Sequence, residues 1–319
     1  MSTAILLVNL GTPDSPNPKD VYRYLIEFLT DERVIDYPWF QRQLLVRGII
    51  VPNRYKASAK SYAAIWTKEG SPLMVHSINF KNELQKHLGK DFTVSLAMRY
   101  QNPSIESVLK SLLNEEPEHL IILPLFPQSA SATTGSVNQK VLEILQSVKM
   151  LPKVTFLSHF FDHPELIAAY KEIAAPYPHQ EYDHIVFSFH GLPKKQIQNM
   201  RLCYLKQCCL MAERLISALQ IPSEKTSLSF QSRLGRDPWL EPYTNETLLN
   251  LAKAGKKKVL VFCPSFVCDC LETIYEIGQE YNQEFLHAGG SQLQLVPGLN
   301  SHPAWVRAVA SIVQSTSLK

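Results

Sequence analysis

Five side chains in this sequence stand where their types and spacing suit proton and metal chemistry. His190 closes the apolar run "HIVFSFH" (184–190) and is followed by Gly-Leu-Pro. An imidazole at the tip of a strand can accept a proton near neutral pH or bind a divalent metal through nitrogen. Downstream, Asp269, Glu272, Glu276 and Glu280 are spaced 3, 4 and 4, which lines four carboxylates along one side of a helix. Leu271, Ile274 and Ile277 fall on another face, to be turned inward. A hydrogen-bonded core histidine and a solvated acidic face are the plain structural alternatives. Two features favour chemistry over them: no lysine relieves the like charges at i, i+4, and the row begins where a strand ends. Such an acidic ladder suits the passage of a cation such as Fe²⁺. Base and ladder at neighbouring strand tips can deprotonate a substrate and hand it a metal.

The elements that must position these groups are legible as apolar runs. They lie at 4–10, 92–100, 119–126, 153–160, 184–190, 226–233, 257–266 and 293–299, and amphipathic stretches such as 104–116, 137–149 and 211–220 separate them. Continuous rather than alternating apolar runs mark strands covered on both faces. Strand and helix in alternation predict a parallel α/β sheet. Eight strands with a midpoint near 159–184 predict two similar doubly wound, Rossmann-like halves, each with a parallel four-stranded sheet. The expected division is 1–160 and 161–300, with 301–319 a final helix that packs back on the first half. Ligands of such folds sit beyond the carboxyl ends of the strands, so the residues after each strand carry the functional information.

Composition narrows the classes. In 319 residues, Lys+Arg exceed Asp+Glu by only three (32 against 29), and no basic block is longer than "KAGKKK" (253–258), so nucleic acid is not an expected partner. No run reaches the ~18 apolar residues of a membrane span, and the N-terminal apolar run is of strand length without a basic flank. A cytoplasmic protein is expected, with peripheral contact at a membrane surface left open. The first strand is followed by one glycine in "GTPDSP", with neither G-x-G-x-x-G nor a Walker motif, so no dinucleotide or NTP site is supported. The segment "PQSASATTGSV" (127–137) gathers hydroxyls at a helix start, which serves equally as an N-cap or as an anion site.

At this point the chain resembles the ferrochelatases. The resemblance runs through "LLVNLGTPDSP" (6–16), "YLIEFLTDERVID" (24–36), "SYAAIWTKEGSPL" (61–73), "MRYQNPS" (98–104), "LPLFPQ" with "TTGS" (123–128, 133–136), "SFHGLP" (188–193), "FQSRLGRDPWLEPYT" (230–244) and "DCLETIYEI" (269–277). Eight segments in the family's order cover nearly the whole chain. The resemblance implies a chelatase-type fold and insertion of ferrous iron into protoporphyrin IX to give protohaem. It implies that His190 accepts a pyrrole proton or ligates the metal opposite Glu272, with Asp269, Glu276 and Glu280 as an acidic relay. Tyr62, Ser71, Arg99, Tyr100, Trp239 and Phe266 match porphyrin-contacting positions. A bent porphyrin ring is the family's implied route to letting iron in. Three departures fall near the propionate-binding loops: "MRLCY" (200–204) after the histidine motif, Ala132 before "TTG", and Ser129 after "PQ".

All six cysteines lie in the C-terminal half. Some members of the family carry a [2Fe–2S] cluster, and here Cys203, Cys208, Cys209 and Cys268 could supply four thiolates. Reduced thiols that bind nothing are the preferred reading, because adjacent cysteines seldom serve one cluster. A porphyrin carrier without chemistry is the competing function, and a base opposite an acid argues against it. Oligomeric state is not legible.

Overall fold

A computed structural model of the chain describes residues 3–197, 202–235 and 237–317. The loop departure at 200–204 therefore lies partly outside the described residues, as does Arg236 of the 230–244 motif.

Among the described residues the strands are β1 (Thr3–Gly11), β2 (Phe92–Tyr100), β3 (His119–Pro124), β4 (Lys153–Phe156), β5 (His184–His190), β6 (Thr226–Gln231), β7 (Lys258–Phe262) and β8 (Gln292–Leu295). They form two wholly parallel sheets with the same order, β2-β1-β3-β4 and β6-β5-β7-β8. The helices are α1 (Pro18–Leu29), α2 (Trp39–Leu45), α3 (Val51–Ile65), α4 (Pro72–Leu88), α5 (Ile105–Asn114), α6 (Ser136–Leu145), α7 (Pro164–Ala174), α8 (Tyr204–Leu219), α9 (Thr244–Lys253), α10 (Asn282–His287) and α11 (Pro303–Ser317). The chain divides into one unit of residues up to Ser158 with those from Val309 onward, and a second of His159–Ala308.

In each unit the central strands are apolar on both faces because helices cover both. Ile5, Leu6, Leu7 and Val8 of β1 and Leu120 to Leu123 of β3 are all fully buried. α5 shows how the helices are set. Ser104 caps it by accepting a hydrogen bond from Ser107 N at 3.2 Å, and Ile105, Leu109 and Leu112 form the stripe buried against β1 and β3. Each such side chain contributes roughly 1.5–3 kcal/mol by leaving water. In the second unit Val186, Val259, Val261, Ile277 and Phe285 play the same part.

The strand order reverses beside β1 in one sheet and beside β5 in the other, and the crevice at such a switch point lies beyond the strand's carboxyl end. His190 is the last residue of β5.

Candidate active site

His190 is held from three sides. Its backbone N–H donates to Ser265 Oγ at 3.3 Å, its carbonyl accepts from Tyr204 Oη at 2.9 Å, and the Phe266 ring lies 6.0 Å from the imidazole, centroid to centroid. Tyr204 and Ser265 also bond to each other at 3.1 Å, which ties β5 to the loop after β7. The decisive contact is Nδ1 to Gly191 O at 2.6 Å. A carbonyl only accepts, so Nδ1 carries a proton, and in the neutral imidazole the lone pair then lies on Nε2. Nε2 makes no hydrogen bond to any described residue.

Gly191 is a glycine for steric reasons. Its N–H continues the ladder to Gln231 O at 2.8 Å, and a Cβ there would stand 2.8 Å from that oxygen and 3.2 Å from Trp239 Cε3. Trp239 is thereby pressed against the backbone that carries the imidazole. Its buried Nε1 has no hydrogen-bond partner among the described residues.

Gln231, directly opposite His190 on β6, joins the imidazole's strand to the acids. Its Nε2 donates to Glu272 O at 2.8 Å and to Glu276 Oε2 at 3.0 Å, while its Oε1 accepts from Ser188 Oγ at 2.8 Å. Glu276 accepts three further bonds, from Ser232 N (2.8 Å), Ser232 Oγ (2.5 Å) and Tyr281 Oη (2.7 Å). Sequence reasoning assigned no role to Gln231, Ser232, Ser265 or Tyr204. The strand-tip rule that selected His190 would have reached Gln231 and Ser232 if applied to β6.

The acids do not form the expected α-helical row. Leu271–Tyr281 is a π-helix, wound at about 4.4 residues per turn. Residues four apart still share a face but drift in the opposite sense, so Glu272, Glu276 and Glu280 keep to one side. Ile277 is buried while Leu271 and Ile274 are half-buried. Asp269 precedes the helix cap, Cys270, and is only 8% exposed. Its carboxylate accepts from Thr273 Oγ1 (3.0 Å), Gly298 N (3.0 Å) and Asn300 Nδ2 (2.8 Å). Two of those bonds tie Asp269 to the 298–300 loop. Glu280 is exposed, and partial burial with the like charges of Glu276 and Glu284 pushes its carboxyl above the ordinary value. The Glu272 carboxylate, beside the Cys270 thiol, makes none of the hydrogen bonds that tie down Glu276.

In the first unit the expected porphyrin contacts separate. Arg99 Nη2 donates to Asp31 Oδ2 at 2.6 Å and its Nε to Ser136 Oγ at 2.6 Å; Tyr100 Oη donates to Asp31 Oδ2 at 2.9 Å. Tyr100 is fully buried. Arg99 and Tyr100 are thus both bonded to the buried Asp31 carboxylate. Tyr62 and Ser71 are buried at 7% and 4%, Tyr62 edge-on to Tyr24 and Ser71 accepting from Thr12 Oγ1 at 2.8 Å.

The six cysteines form no disulfide. Burial, first among the causes, pushes the Cys208, Cys263 and Cys270 thiols well above their ordinary value. Cys203 and Cys209 are half-buried and Cys268 is buried. Among the described residues no three His, Cys, Asp or Glu side chains are grouped to hold a metal ion.

Solved structures with this architecture include the sirohydrochlorin chelatase SirB from Bacillus subtilis subspecies spizizenii in complex with cobalt (TM-score 0.60, 13% identity, 99% of this chain and 95% of that one) and CbiX of denitrifying bacteria (TM-score 0.53, 12% identity, 98% of each). The fold is therefore that of the chelatases. The ferrochelatase family model matches residues 2–317, and ferrochelatases of Legionella pneumophila strain Lens (41% identity, 98% of this chain and 99% of the relative) and Pseudomonas putida strain W619 (42%, 98% of each) are similar over their whole lengths. The chain belongs to the ferrochelatase family, a metal-inserting lyase that places iron in a porphyrin for haem synthesis.

Proposed function

We propose that His190 Nε2 is the base of this reaction, that Glu272 stands opposite it, and that the porphyrin is protoporphyrin IX. Filling the ring exchanges two pyrrole protons for Fe²⁺, so a proton acceptor is required beside the ring. The observation that carries the reading is the Nδ1–H to Gly191 O bond, which assigns the lone pair of the neutral imidazole to Nε2. Phe266 beside the imidazole supplies an apolar wall suited to a flat aromatic disc, and Trp239 is the further aromatic position of this unit in the proposed site. Glu272, held through its carbonyl by Gln231, receives the proton or meets the metal, and the hydrogen-bonded Glu276 and exposed Glu280 extend the acidic path outward. The cysteines serve as thiols, not cluster ligands. The test is anaerobic: protein, Fe²⁺ and either protoporphyrin IX or coproporphyrin III, followed by loss of porphyrin fluorescence and rise of haem absorption. Faster turnover of protoporphyrin IX is expected; faster turnover of the tetracarboxylate overturns the substrate assignment.

The protein also acts, in this proposal, at a membrane surface on the cytoplasmic side. No helix among the described residues is long and apolar enough to cross a membrane. Trp39, Phe40, Leu44 and Ile49 are 67%, 72%, 65% and 56% exposed, and residues 37–67 hold five Lys/Arg and no Asp or Glu. Arg42 of these is buried and pairs with Glu32, and exposed aromatics among the remaining cations suit an anionic lipid interface. Trp39→Ser with Phe40→Ser is expected to lower binding to phosphatidylglycerol vesicles about tenfold or more. Unchanged vesicle binding with weakened porphyrin binding would reassign the patch to the substrate.

A further inference from the structure

β2 is an edge strand, and alternation along it points the backbone groups of Phe92, Val94, Leu96 and Met98 away from β1. The fold closes this edge at both ends. The Gln85 carboxamide acts as a neighbouring strand would, accepting from Val94 N at 2.7 Å and donating to Phe92 O at 2.9 Å. Beyond, Met98 N donates to Pro103 O at 2.7 Å, and Pro103 has no N–H to offer in return. Between the two caps Val94 O, Leu96 N–H and Leu96 O make no hydrogen bond to any described residue.

That open rung is the floor of a groove of about 410 Å³ between α4 and α5. Met74, Ile78, Lys81 and Gln85 are spaced 4, 3 and 4, so they share the face of α4 turned to the strand. α4 runs back along β2, and one helical turn from Gln85 is about 6 Å. Two strand residues span about the same length. Lys81 therefore stands level with the Leu96 rung, and it has no ion-pair partner among the described residues. No acidic residue lines the groove, and Ile78 and Val108 give it apolar walls.

We infer that this groove binds the C-terminal residue of a partner polypeptide. A residue laid parallel beside Ser95 donates its N–H to Val94 O and accepts from Leu96 N–H, the pattern by which Thr3 N already meets Asp91 O on the other side of β2. Gln85 and Pro103 block the rungs on either side, so the segment is short and ends here. A second copy pairing edge to edge is excluded by the same two caps. A terminal carboxylate at that place meets both Leu96 N–H and the Lys81 ammonium, and an apolar terminal side chain meets Ile78 and Val108.

The probe is acetyl-leucyl-leucine, read by the Leu96 amide signal of the isotopically labelled full chain and assigned with Leu96→Ile. The free acid is expected to shift that signal saturably below about 10 mM, a weak single-residue affinity. Its carboxamide twin and the Lys81→Met and Lys81→Glu variants each bind about fivefold or more weakly. Unchanged iron insertion by these variants certifies their fold. A silent Leu96 signal, indifference to both Lys81 variants, or equal binding of octanoate, which lacks the N–H, overturns the inference.

Discussion

His190→Ala leaves porphyrin binding within a few-fold of the parent and removes iron insertion, with turnover lower by about 10²–10⁴ as expected for loss of a positioned general base. The asymmetry follows from the site. The imidazole is one edge of a wall that Phe266 also builds, so the ring still has a surface to rest on. The neighbouring Gln231, Ser265 and Tyr204 carry no basic nitrogen to replace it, and their polar groups are spent on backbone and carboxylate partners. Fluorescence quenching measures porphyrin binding, and anaerobic haem absorption measures insertion. Persistent turnover in the variant would remove His190 from the mechanism. A fall in binding that matched the fall in turnover would make it a substrate contact instead.

Asp31→Ala unfolds the first unit more readily by about 3–5 kcal/mol, a large part of the stability of an ordinary domain. The carboxylate is the common acceptor of Arg99 Nη2 (2.6 Å), Ser136 Oγ (2.5 Å), Tyr100 Oη (2.9 Å) and Arg33 N (2.8 Å). Its removal leaves a guanidinium only 17% exposed without its counter-charge. The same contacts fix a pH signature. Burial alone would raise the Asp31 pKa, but the Ser136 hydroxyl, the Arg33 amide, Arg99 and Tyr100 outweigh it and hold the carboxyl below 3.8. A depressed folded value contributes stability above the unfolded pKa and loses it as pH falls through the folded one. The stability gap between the parent and Asp31→Asn, read by urea denaturation, is therefore constant near neutrality and narrows below about pH 4. A gap that widened in acid would contradict the assignment.

Much of this was legible in the sequence because strands buried on both faces leave unbroken apolar runs. All eight runs became strands, and "HIVFSFH" did so residue for residue. The ends were overread at 263–266 and 296–299, where the chain stays apolar after leaving the sheet: Val296 and Leu299 enter the core and Phe266 turns back beside His190. The π-helix was not legible, since a spacing of four suits either winding. Nor could a motif reveal where an arginine points. Arg99 and Tyr100 lie in a family segment that suggests a ligand, and only Asp31, 68 residues away in sequence from Arg99, shows what holds them.

The shared strand order of the two sheets gives each unit a switch point of the same kind, so the two can be compared place for place. At the switch point of the second unit the strand ends in His190, whose Nε2 has no hydrogen-bond partner among the described residues. At the matching place in the first, β1 ends in Gly11, where a Cβ would lie 2.1 Å from Tyr100 O. The same place in the two sheets thus carries a side chain able to react in one unit and close-packed backbone in the other.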